Sequence, residues 1–142
     1  MQEWALWALA SAVFAALTAI FAKVGLEGVD SNFATFIRTL VIAAALILFL
    51  TYAKKWQPLG ELGARNWVFL TLSGLATGAS WLAYFKALQM GSASQVAPID
   101  KLSVVLVVIF AVIFLGERPS VREWIGIALI ASGVFTLVFA DK

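Results

Sequence analysis

The sequence predicts an all-α integral membrane protein with five transmembrane helices. Hydrophobic residues make up 63% of the 142 residues and charged residues only 13%. A water-soluble domain carries roughly 25% charged residues, so this chain could not cover its own surface with polar groups. Its apolar residues also gather in runs close to the roughly 20 residues that cross a bilayer. No run alternates apolar with polar positions as a membrane barrel strand would. The mean hydropathy is +0.97. The length suits one domain over residues 1–142,. Ten Lys and Arg against eight Asp and Glu give a formal charge of +2, too little to imply a nucleic-acid partner. The chain has no Cys and no His. That removes disulfides, thiolate chemistry, the usual zinc ligand and the usual proton shuttle. No Ser has an evident general base. No enzyme activity, cofactor or metal is therefore expected.

The first helix covers about residues 4–22. Met1, Gln2 and Glu3 offer no basic region ahead of it, so it reads as an uncleaved span, not a signal peptide. Trp4, Trp7, Ser11, Phe14 and Thr18 are spaced 3, 4, 3 and 4 apart and form one stripe,. The stripe has two readings. Trp4 and Trp7 can anchor at the interface while Ser11 and Thr18 bond to their own helix, or the stripe lines a cavity. After the short loop KVGLEGVDS, Ser31 or Asn32 can cap a second helix over about 32–52,. Arg38 lies some two turns inside it. It either snorkels to the headgroups or meets a partner or an anion within the bundle.

The polar connection AKKWQPLGELGARN leads to a third helix over about 67–88. Gly74 and Gly78 there form a small-xxx-small pair that admits a close helix neighbour. Thr77, Ser80, Trp81 and Tyr84 are the polar and aromatic positions towards its end, with Lys86 beyond. The turn MGSASQ then opens a fourth helix over about 96–115. Pro98 is placed in its first turn, where an amide donor is dispensable. Asp100 suits the positive end of the helix dipole there, so capping and a functional role both account for it. Lys101 has no such local reason and is the stronger functional candidate, with Ser103 following. A turn at GERPS precedes the fifth helix, about 121–140, which carries Gly126 and Gly133 on one face.

Five spans place the termini on opposite sides. Lys54, Lys55, Arg65, Arg118 and Arg122 fall on the N-terminal side, and Lys23, Lys86 and Lys142 on the other, with Arg38 and Lys101 inside helices. This weak bias leans towards a cytoplasmic N-terminal side and permits insertion both ways round. Dual topology would pair two copies in opposite orientations.

The run SGLATGASWLAYFKALQMGSASQVAPIDKLSVVLVVIFAVIFLGERPS followed by WIGIALIASGVF resembles one repeat of the EamA family, in the drug/metabolite transporter superfamily. The matching features are Trp81, Tyr84, Ala87 and Leu88 closing the third helix, Val96 to Ile99 opening the fourth, the Gly116–Glu117 turn, and the glycine-bearing last helix. The likeness covers essentially the whole chain and is strongest from Ser73 onward. Family members usually carry two such repeats in inverted topology. The resemblance implies that this chain is one half of an inverted-repeat transporter fold and works as a homodimer, antiparallel in arrangement, with passage through a cavity between repeats. Small multidrug-resistance pumps in the same superfamily use a membrane-embedded Glu in the first helix. Residues 4–22 here contain no acid, which puts cation/proton antiport in doubt.

The leading expectation is a transporter of small polar metabolites in a bacterial plasma membrane. Trp81 and Tyr84 would form a flat wall, Thr77, Ser80 and Ser103 would supply hydroxyls, Asp100 and Lys101 would sit at the mouth or gate, and Arg38 with the Trp7, Ser11, Phe14 and Thr18 stripe would complete the path. The excess of embedded cations favours an anionic or zwitterionic solute. Gly74, Gly78, Gly126 and Gly133 would serve helix packing. The alternatives are a flippase for lipid-linked sugars and a non-transporting membrane scaffold subunit.

Overall fold

A computed structural model describes residues 3–139. The described residues form helices α1 (Glu3–Gly25), α2 (Ser31–Tyr52), α3 (Ala64–Met90), α4 (Ala93–Asp100), α5 (Leu102–Phe110) and α6 (Val121–Val138), with a π-helical turn at Ala111–Leu115 continuing α5. The five spans of membrane-crossing length and hydropathy are α1, α2, α3, the combined stretch Ala93–Leu115, and α6. Ala140, at the expected end of the last helix, lies outside the described residues, as does Lys142.

At most 6% of each span is buried within the chain. Apolar residues therefore dominate the outward faces, as a lipid-solvated fold requires. The chain divides into two compact units, one running to Ala19 and resuming at Gly91, the other holding Ile20–Met90.

In the second unit α2 packs against α3. Arg38 of α2 meets Trp81 and Phe85, while Val29 just before α2 meets Gln89 near the end of α3, so the two helices run antiparallel. The core there is Leu26, Phe85 and Leu88, with buried Ser31 and Thr35. Asp30 caps α2: its Oδ1 accepts from the amides of Asn32 (2.9 Å) and Phe33 (3.1 Å). The cap lies one residue ahead of the two expected candidates, because α2 begins at Ser31. At the other end of α2, Lys54 takes a left-handed conformation (φ 53°). Its amide donates to Thr51 and that of Lys55 to Leu50, a Schellman closure that commonly uses Gly. Two side chains tie the opposite end of this unit together. Lys23 Nζ donates to the Leu88 carbonyl at 2.6 Å, and Gln89 Nε2 donates to the Val29 carbonyl at 3.0 Å.

In the first unit α4 and α5 both pack against α6. The fourth span departs from expectation. It begins at Ala93, so Pro98 is the sixth residue of α4 and sits in the helix interior, not in the first turn. Proline has no amide donor and its ring crowds the carbonyl four residues back. Further along, the backbone tightens: the Lys101 amide donates to Pro98 and the Val104 amide to Lys101, both at 3.0 Å and both three residues back. The span is thus broken at Lys101. Asp100 falls at the last residue of α4, directly before Lys101, the N-cap of α5. The span ends at Gly116, whose φ of 68° is left-handed, with the Glu117 amide closing onto Ala111 at 3.2 Å. Ser120 then opens α6 with a reciprocal capping box to Glu123,.

Two predictions follow from these contacts. Lys23→Met removes a charged donor from the end of α3 and should lower stability by about 1.5–3 kcal/mol, read as a lower unfolding temperature in detergent; an unshifted transition would mean water replaces the ammonium. Pro98→Ala lets residue 98 donate to the Ser94 carbonyl and should stabilise α4. Slower hydrogen exchange at residues 95–100 is the expected sign, and unchanged exchange would show that the proline does not weaken α4.

Candidate functional site

Arg38 is the charge that the fold handles most distinctively. Its guanidinium carbon lies 4.3 Å from the centre of the Trp81 ring and 5.2 Å from that of Phe85. Trp81 and Phe85 are four residues apart, so α3 presents them on one face, and α2 lays Arg38 across them. The Phe85 ring in turn lies 6.4 Å from that of Tyr84. Phe85 is buried and Trp81, Tyr84 and Arg38 are half-buried. Phe85 was not singled out from sequence, although its spacing from Trp81 was a usable signal.

Arg38 lies seven residues beyond Ser31, about 10 Å along the helix. Its guanidinium is nearer the Trp81 ring than the Phe85 ring. An Arg at helix centre costs about 2.5–3.5 kcal/mol on insertion scales. A cation–π contact contributes about 0.5–2 kcal/mol, more as the site dries. The rings therefore offset only part of the cost.

The other expected pathway residues divide between the two units. Asp100 Oδ2 and Lys101 Nζ pair at 3.2 Å, with side chains 35% and 54% exposed, at the break in the fourth span. This adjacent, partly exposed pair is weak on general grounds and leaves most of the ammonium available. Ser103 is exposed on the first turn of α5, and Ser80 and Thr77 are exposed on α3. The Thr77 hydroxyl donates to the Ser73 carbonyl at 2.9 Å, leaving its oxygen as an acceptor. On α1, Trp7 and Phe14 are 78% and 69% exposed, Ser11 is exposed and Thr18 half-buried. A Cβ added at Gly74, Gly78, Gly126 or Gly133 would meet nothing within 4 Å, so the small-residue faces have no close neighbour among the described residues. A depression of 580 Å³ opens beside the α6 N-terminus, floored by Val108, Gly126, Ile127 and Ile130 and rimmed by Glu117, Arg118 and Glu123. Glu123 is committed to its cap there, accepting from the Ser120 amide and hydroxyl at 2.6 and 2.8 Å.

Comparison with known proteins places this arrangement. The model of the EamA-like transporter family matches residues 2–139. The chain is 55% identical over 136 residues to the "Uncharacterized transporter in cobO 3'region" of Sinorhizobium sp., covering 96% of both chains. It is 27% identical over 135 residues to the "Uncharacterized transporter YxxF" of Bacillus subtilis (strain 168), covering 94% of this chain and 42% of that one. No solved structure matches. The five apolar spans and the family match over nearly every residue agree: the chain is a multi-pass membrane protein belonging to the EamA-like transporter family.

Proposed function

We propose that the chain is a permease or exporter of small polar metabolites, anionic or zwitterionic, that acts as an antiparallel homodimer with the solute path between protomers in a bacterial plasma membrane. The observation that carries this is one of length. Nearly all of this chain aligns with less than half of the longer Bacillus transporter, so two copies supply what that protein holds in one chain. Five spans per copy is an odd number, and two copies inserted oppositely make the inverted arrangement common among transporters. The outward apolar faces and the open glycine faces of α3 and α6 leave room for a second copy. The break at Lys101 supports alternating access, because discontinuous spans offer unpaired backbone groups and ionisable side chains at depth. Arg38 and Lys101 favour a negative group on the solute.

The odd span number also provides the test. Joining two copies directly, tail to head, forces the second into the opposite orientation, whereas a single neutral span in the linker forces both the same way. The direct fusion should transport in proteoliposomes as well as the free chain does, and the linker-span fusion should be inactive. Activity confined to the linker-span form would overturn the antiparallel dimer. Within the active form, Lys101→Ala should abolish uptake while the dimer is recovered intact; full uptake in that variant would remove Lys101 from the path.

A further inference from the structure

Among the described residues, Arg38 has no carboxylate within ion-pairing distance and no acceptor for its N–H groups; its contacts are the Trp81 and Phe85 rings. The acids of the same unit, Glu27, Asp30 and Glu61, lie in the connections between spans, and Asp30 is occupied with the amides of Asn32 and Phe33. A full positive charge is thus carried inside a span with aromatic support on one side and no counter-charge. Aromatic rings attract a cation through their faces but leave its N–H groups unbonded.

We propose that Arg38 is the receptor for a singly charged oxyanion, and that Trp81 fixes the guanidinium plane so that its N–H edge meets the ligand. A guanidinium presents donors in a planar fork that fits a carboxylate or a phosphodiester through two parallel bonds. At 4.3 Å from the Trp81 ring centre the cation is held against one ring, with Phe85 a turn away, and this is pre-organisation of the fork. One guanidinium balances one negative charge; a dianion would leave net charge in the span. The aromatic surroundings suit a compact, apolar or planar body behind the charged group. The proposal names the solute class for the transport reading and rests on that reading for its physiological meaning, though not for its chemistry. A solute carboxylate and a lipid phosphodiester share that chemistry, so the source has to be separated by experiment.

The full chain in phosphate-free dodecyl maltoside micelles is unfolded thermally with benzoate, with its neutral counterpart benzamide, and with phosphatidylglycerol added to the micelles. The expected result is a rise in unfolding temperature with benzoate and none with benzamide. Arg38→Lys keeps the charge but loses the planar fork, and should weaken the benzoate response at least ~10-fold; Arg38→Gln should remove it. A rise with benzoate identifies a solute carboxylate, and a rise with phosphatidylglycerol alone identifies a headgroup, both with Arg38 as receptor provided that Arg38→Lys weakens the response. A benzoate response that survives Arg38→Lys, or a wild-type chain that responds to neither anion, overturns the proposal. This readout needs no passage across the membrane. A chain that binds benzoate yet carries nothing into liposomes keeps the receptor and loses the transport reading, and transport indifferent to Arg38→Lys does the reverse.

Discussion

Lipid offers no hydrogen bonds, and a polar group within a span must find its partner inside the protein or go without. The side-chain hydroxyls show how the chain meets this constraint. Thr35, Thr39, Thr51, Thr77 and Thr136 each donate to the carbonyl four residues back, and Ser132 to the carbonyl three back. Each hydroxyl shares a carbonyl already used by the helix, so a polar side chain is carried at depth without another element to receive it. The helix ends obey the same rule by other means: Asp30 and Ser120 as caps, and Lys54 and Gly116 in left-handed closures. Among the described residues, the buried hydroxyl of Ser31 has no partner.

The same constraint explains which features were readable in the sequence. Spans are properties of composition over some 20 residues, and all five were legible, with ends falling within about a turn of those observed. Caps depend on single residues, and there the sequence pointed to Ser31 or Asn32, whereas the acceptor is Asp30, one residue ahead of both. Pro98 was misplaced because its meaning depends on where the helix begins. With a start at Val96 it fills a harmless position; with the start at Ala93 it lies in the helix interior, and Asp100 becomes the last residue of α4.

The pairing of Arg38 with Trp81 was beyond the sequence for a different reason. Both residues were visible as candidates, but nothing along the chain says which face of α2 meets which face of α3. Once the helices are paired, the i, i+4 relation of Trp81 and Phe85 accounts for the contact without further assumption. Thr77 shows the reverse case: its sequence position suggested a donor in a path, and its proton is already given to Ser73.

The sign of the charge on the α2–α3 pair narrows what such a protein can carry. Cation exchange through a membrane needs a carboxylate at depth, because only a negative group can be shared between a proton and a cationic solute. Glu3 lies in the first turn of α1, and from Trp4 to Gly25 that helix has no acid. The charge embedded in the α2–α3 pair is instead a guanidinium, held against Trp81. Charges interact strongly where water is excluded, so this cation repels a cationic solute over the same short range in which it attracts an anionic one. Selectivity against cations would then follow from Arg38 itself, before any contact with the body of the solute is made.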